Sequence, residues 1–132
     1  MKEKIEKKIY KAIERMFINQ PNFWEFTLET HQSEWNISHH LAFEINKIYK
    51  KYDCDLDIIK PNYGNKRPDI ILHKRGSKDN FLVIEVKREI SDIDEDISKI
   101  KEFWFREPLS YRFGSAVVIN KNKSIVKVFE NK

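Results

Sequence analysis

Three residues near the middle of the chain have types and spacing that suit acid, base and metal chemistry. Asp69 follows Pro68 at the start of a short apolar segment, and Glu85 and Lys87 interrupt the end of the apolar run at 81–87. In a strand, residues i and i+2 point to the same face, so Glu85 and Lys87 should project together. Polar side chains in such a run need a partner or a function, because burying them unpaired costs free energy.

The segments that carry these residues predict a hairpin. Residues 69–73 and 81–87 have the composition of two strands, and a polar loop with Gly76 joins them. Antiparallel pairing would bring Asp69 beside Glu85 and Lys87. Two carboxylates so close repel each other unless a divalent cation lies between them, and hard oxygen ligands suit Mg²⁺ or Mn²⁺. A neighbouring lysine could then orient or deprotonate an attacking water and stabilise charge on a phosphate.

The same residues also have a purely structural explanation. Glu and Lys at i and i+2 of a strand can form an exposed ion pair, and an Asp after Pro often simply begins a strand. We favour the metal site, because Glu85 and Lys87 lie in the most apolar run of the chain.

The wider pattern predicts a mixed α/β (α+β) fold with the element order α-α-β-β-β-α-β-β. Apolar residues recur at helical spacing in three segments, whereas the spacing changes to that of strands from Asp55 onward. Helices are predicted over 1–18, 33–52 and 91–107, and strands over 55–60, 69–73, 81–87, 115–120 and 125–129. We therefore expect a mixed sheet flanked by helices.

The segments RPDIIL and VIEVK resemble the motifs of the PD-(D/E)xK, or restriction-endonuclease-like, nuclease superfamily, over roughly residues 33–120. The resemblance implies an α-β-β-β-α-β core, here with an extra N-terminal helix and a C-terminal strand. It makes Pro68-Asp69 the PD element and Glu85-Val86-Lys87 the ExK element. It further implies a deoxyribonuclease that depends on Mg²⁺ (or Mn²⁺).

The resemblance also assigns roles to individual residues. Asp69, Glu85 and the Val86 carbonyl would bind the metal, Lys87 would act at the water, and an acid on the preceding helix would complete the site. Glu34 is preferred for that position because it leads the apolar stripe of its helix, whereas Glu44 lies on the flank. Since the chain has no separate target-recognition domain, we expect structure-selective or repair-type cutting of DNA.

Local charge favours a phosphate partner. Residues 60–88 contain eight Lys and Arg against three acidic residues, an excess that attracts nucleic acid. The expected DNA-binding residues are Lys66, Arg67, Lys74, Arg75 and Arg88. Five acidic residues in 89–96 offset this charge, and we interpret them as structural because negative charge at a helix start is favourable.

A non-catalytic function stays open as the alternative. The chain could be a nuclease-like module that binds nucleic acid or a protein partner without hydrolysis. Such modules usually lose an acid or the lysine, whereas Asp69, Glu85 and Lys87 are all present. We therefore favour the enzyme.

Length and composition limit the remaining classes. The 132 residues, 40% hydrophobic and 35% charged with a net charge of +4, suffice for one folded core. We divide them into an N-terminal helix with an aromatic connector, 1–31, and a nuclease-like domain, 32–132. No apolar run approaches the roughly 20 residues of a membrane span, and the N-terminus lacks a signal-peptide pattern, so we expect a cytoplasmic protein. The three glycines form no phosphate-binding loop or nucleophile elbow.

The N-terminal residues leave two assemblies open. The helical stripe of Ile5, Ile9 and Met16 and the aromatic residues Phe23, Trp24 and Phe26 could cover the core of their own chain or form a contact between two copies. We favour a homodimer, because the stripe needs an apolar partner and cutting both strands of a duplex normally needs two active sites.

Overall fold

A computed structural model of the chain describes residues 1–22, 33–56, 68–88, 93–120 and 123–132. Within these ranges the helices are α1 (Lys2–Asn19), α2 (Ser33–Ile48) and α3 (Ile93–Lys99), and the strands are β1 (Asp53–Leu56), β2 (Ile70–His73), β3 (Asn80–Lys87), β4 (Phe113–Ile119) and β5 (Ser124–Glu130). A wider, π-type turn, Ile100–Trp104, continues α3. The predicted order of helices and strands is confirmed.

The five strands form one mixed sheet in the order β1-β2-β3-β4-β5. Neighbouring strands pair antiparallel, except that β3 and β4 are parallel. A parallel pair needs a crossover connection, and α3 lies in the segment that provides it. The class predicted from the sequence, a mixed sheet with helices, is therefore correct.

Helices cover both faces of this sheet. Side chains of Ile84 and Val86 belong to a core that also contains the apolar stripes of α1 and α2. Val83 and Ala116 belong to a second core beneath α3 and its π-type turn. Because side chains alternate along a strand, Glu85 lies on the same side as Val83, the side of α3.

The stripe of α1 is buried within its own chain. Ile5, Ile9 and Met16 are each at most 1% exposed and share one core with α2 and the sheet. The stripe therefore has an apolar partner and gives no support to a homodimer, which stays a prediction. The aromatic residues Phe23, Trp24 and Phe26 lie outside the described residues.

Helix α2 ends earlier than its apolar spacing predicts. The prediction extended it to Tyr52, but it ends at Ile48, and β1 begins at Asp53. Tyr49 and Tyr52 instead lie in a tight turn, in which the Tyr52 N–H donates to the Tyr49 carbonyl at 3.3 Å. Their three-residue spacing resembles that of a helix, although the helix has already ended. Residues 57–60 of the predicted first strand, and Ser91 of the predicted third helix, lie outside the described residues.

A β-bulge lies where the β2–β3 hairpin approaches its turn. Leu72 pairs with Leu82 and His73 with Asn80, so Phe81 is an extra residue on β3. A bulge redirects side chains, and here the Phe81 ring lies in the core of α1 and α2. The ring contacts Tyr49 and Tyr52, which follow α2.

Helix α1 also makes a polar contact with the sheet. The Tyr10 hydroxyl accepts a hydrogen bond from the Val126 N–H of β5 at 3.1 Å. Among the described residues, no helix is both long enough and apolar enough to cross a membrane.

Candidate active site

The β2–β3 pair brings together the residues that the sequence singles out. Ile70 lies opposite Ile84, so Asp69 and Glu85 occupy the next pair of facing positions along the two neighbouring segments. Asp69 Oδ2 accepts a hydrogen bond from the Val86 N–H at 2.7 Å, beyond the end of the regular ladder. The predicted proximity of Asp69 to the Glu85-Val86-Lys87 segment is confirmed.

Glu85 is buried at 1% exposure beneath α3 and its π-type turn. Its Oε1 accepts a hydrogen bond from Trp104 Nε1 at 3.1 Å, and its Oε2 accepts one from Lys99 Nζ at 3.2 Å. The Lys99 ammonium also balances the carboxylate charge. Both oxygens of Glu85 therefore have partners that the sequence analysis did not identify.

Burial dominates the electrostatics of the site. Burial, followed by the negative charge of Asp69, raises the pKa of Glu85 to about 8, and Lys99 opposes the shift. Asp96, on α3 and 2% exposed, has its pKa raised to about 6, first by burial and also by Asp69. Lys87 and Lys99 act on Asp96 in the opposite direction. The three acids and two lysines thus form one interacting cluster.

The chemistry of this cluster suits a hard divalent cation. The repulsion between Asp69 and Glu85 is the energy that a cation would offset, and carboxylate oxygens are ligands that Mg²⁺ prefers. As the described side chains are placed, no three Asp, Glu, His or Cys residues lie close enough together to hold a metal ion. A cation would instead use Asp69, Glu85 and the Val86 carbonyl, and Lys99 would compete with it for Glu85.

Of the two candidate acids on α2, the structure describes the side chain of only one. The side chain of Glu34 lies outside the described part of the structure. Glu44 is buried and accepts hydrogen bonds from Asn19 of α1 at 2.9 Å and from Lys47 at 3.4 Å. Because α2 packs on the sheet face opposite Glu85, Glu44 stabilises the contact between α1 and α2 instead of reaching the cluster.

Of the predicted DNA-binding residues that the structure describes, two lie far from Asp69 and one lies near Lys87. Lys74 and Arg75 lie in the hairpin turn, about 16 Å along β2 from Asp69, because the turn joins the far ends of the two strands. Arg75 Nε donates to Asp55 Oδ2 at 2.9 Å. Arg88 is half-buried directly after β3 and lies at the same end of this strand as Lys87. Lys66 and Arg67 lie outside the described residues.

Asp96, Lys99 and Trp104 are the residues of the cluster that the sequence analysis missed. Asp96 comes three residues after Ile93 and four before Ile100, so its helical phase places it in the apolar stripe. This helical phase is the sequence signal that could have identified Asp96 as buried. The interpretation of the acidic run as a helix-start feature suits Asp94, which is exposed, but does not account for buried Asp96.

Comparison with known proteins adds no assignment. No protein-family model matches the chain, and no curated protein matches it.

Proposed function

We propose that this protein is a metal-dependent deoxyribonuclease of the restriction-endonuclease-like type. The observation that carries the proposal is the placement of Asp69, Glu85 and Lys87 at one end of the β2–β3 pair. The order of α2, three antiparallel strands, α3 and a parallel β4 supports it, because the resemblance implies this order for the core.

Each residue of the cluster has a role in this proposal. Asp69, Glu85 and the Val86 carbonyl would hold Mg²⁺ or Mn²⁺. When bound, the cation supplies Lewis acidity toward the phosphodiester and makes a water more acidic. Lys87 shares the face of Glu85 and places positive charge beside the phosphate. Lys99 balances the charge of Glu85 when no cation is bound.

The second candidate, a non-catalytic nuclease-like module, has one observation in its favour. Glu85 is 1% exposed, and both of its oxygens already accept hydrogen bonds within the chain. A carboxylate partnered in this way contributes to the packing of α3 without any metal. Metal binding therefore separates the two functions.

A cleavage assay tests the enzyme directly. Wild type, Asp69→Asn, Lys87→Ala and the control Lys78→Ala, an exposed lysine in the hairpin turn, would be incubated with single-stranded, duplex, flap and junction DNA plus Mg²⁺ or Mn²⁺. We expect wild type and control to cleave at least one form, and the two site variants to be slower by about 100-fold. The proposal fails if no form is cut, or if Asp69→Asn cuts at the wild-type rate.

Calorimetric titration with Mn²⁺ distinguishes the module from the enzyme. Binding by wild type that is lost in Asp69→Asn supports the enzyme. DNA binding that persists without any Mn²⁺ binding supports the module.

A further inference from the structure

A cavity lies away from the acidic cluster, where the start of α1, the end of α2 and the sheet meet. Its volume is about 420 Å³, which is within the range of small-molecule sites. Three aromatic residues and four cations account for most of its lining. They are Tyr49, Tyr52, Phe81, Lys8, Lys50, Lys51 and Arg112, and no carboxylate is among the described lining residues.

The aromatic wall of the cavity is held in place by the β-bulge. The Tyr52 and Phe81 rings are stacked with centroids 4.6 Å apart, and Tyr49 lies 5.6 Å from Phe81. The Tyr49 hydroxyl is buried and has no hydrogen-bond partner among the described residues. This hydroxyl is shielded from the cavity, so the aromatic rings, and not the hydroxyl, form the wall.

The cations come from three separate parts of the chain. Lys8 of α1 lies 4.7 Å from the Tyr49 ring centroid, and the Arg112 guanidinium lies 5.0 Å from that of Phe81. Arg112 also donates to the Tyr52 hydroxyl at 2.8 Å and to Asp79, outside the cavity lining, at 3.2 Å. Cations after α2, Lys50 and Lys51, would suit the helix dipole alone, but that effect does not explain Lys8 and Arg112.

We propose that this cavity binds a nucleotide unit, with the base against the aromatic wall and the phosphate at the cationic residues. A nucleotide combines a planar aromatic group with an adjacent anion, the two features that this lining matches. The unit is either a free mononucleotide or part of a single strand. The cavity is separate from the acidic cluster, so nucleotide binding there does not depend on hydrolysis. Phe81 and Glu85 are four residues apart on β3, about 13 Å, and Phe81 lies in the core on the other face of the sheet.

Binding measurements in EDTA test this site independently of any cleavage. Fluorescence anisotropy would follow a labelled mononucleotide and a labelled short single-stranded DNA. The test variant is Lys50→Gln/Lys51→Gln, and the matched control, Lys123→Gln/Lys127→Gln, removes two exposed lysines elsewhere. We expect the test variant to bind the strand about tenfold more weakly and to reduce the slope of log K against log salt by about 1.4. The control should keep both values.

The source of the nucleotide follows from the same titrations. Saturable mononucleotide binding identifies a free nucleotide as a ligand, whereas binding of the oligonucleotide alone identifies a strand. Tyr52→Leu should weaken the binding of either ligand by about tenfold, because the base loses a stacking partner. The proposal is overturned if neither ligand binds wild type, or if the control weakens binding as much as the test variant.

Discussion

The Asp69 carboxylate accepts a hydrogen bond from the Val86 backbone N–H, with 2.7 Å between Oδ2 and the nitrogen. This bond joins the two sequence motifs that gave rise to the nuclease hypothesis. It also replaces a ladder contact just beyond the last regular pair, Ile70 and Ile84. Asp69 therefore has a structural role whether or not it binds a metal, and substitutions at this position must separate the two roles.

Asp69→Ala should destabilise the protein more than Asp69→Asn. Alanine leaves the Val86 N–H without an acceptor at a half-buried position, at a cost of about 1–3 kcal/mol, whereas the asparagine carbonyl can still accept. Urea unfolding of both variants measures the difference. Equal unfolding free energies of the two variants would contradict this prediction. Because the asparagine keeps the acceptor, Asp69→Asn is the better variant for assays of metal binding.

Lys99→Met should be strongly destabilising, and Glu85→Gln should remove most of that penalty. At pH 9, above the Glu85 pKa of about 8, loss of the ammonium leaves a buried carboxylate uncompensated, which costs about 3–5 kcal/mol in comparable sites. Near pH 7 the penalty should be smaller, because Glu85 can take up a proton. A glutamine still accepts the hydrogen bond from Trp104 without carrying a charge. Unfolding free energies of both single variants and the double variant give the coupling energy, and additive effects would contradict the pairing.

Stability should fall in acid through Asp55 on β1. Hydrogen bonds from Arg75, with a further contribution from His73 at 2.6 Å, lower the pKa of Asp55 from 3.8 to about 2. Because the folded-state pKa is the lower one, this contribution is complete above about pH 4 and disappears as the pH falls to 2.

The comparison of wild type with Asp55→Asn measures this contribution. The difference in their urea midpoints should be constant near neutral pH and shrink between pH 4 and pH 2. A difference independent of pH over this window would show that Asp55 does not carry the effect.

Gly114→Ala should destabilise the protein by overpacking the contact between β4 and the turn after α3. An added Cβ would clash with Ile100 Cγ2 and lie 3.1 Å from the Phe105 ring. Overpacking of this kind costs about 1–3 kcal/mol. The thermal midpoint measures it, and Ile100→Ala, which removes Cγ2, should lower the added cost of the Gly114 change. Independent effects of the two substitutions would argue against this clash.

The elements and the pairing of β2 with β3 could be predicted because their signals are local. Two short apolar segments joined by a short polar loop leave few arrangements, so the proximity of Asp69 and Glu85 could be predicted. The partners of Glu85 could not be derived in the same way. Lys99 and Trp104 reach it through the crossover of α3, and the distance between a helix and a sheet has no short-range sequence pattern.

The aromatic cavity was missed for a similar reason. The sequence places Phe81 in an alternating strand, which predicts that its ring lies on the side of Val83. The bulge at the hairpin turn changes that side, and nothing in the residues 74–80 identifies it in advance.

The hydrogen bond between Tyr10 and Val126 bears on how the sheet avoids other chains. Within the described sheet, β5 has a single neighbour, and the outward N–H groups of such a strand are a template for strand addition and aggregation. The Tyr10 hydroxyl accepts a hydrogen bond from one of these N–H groups, and α1 lies along β5. The N-terminal helix thus covers part of a sheet edge as well as filling the core, and it removes one N–H group from those available for pairing with another strand.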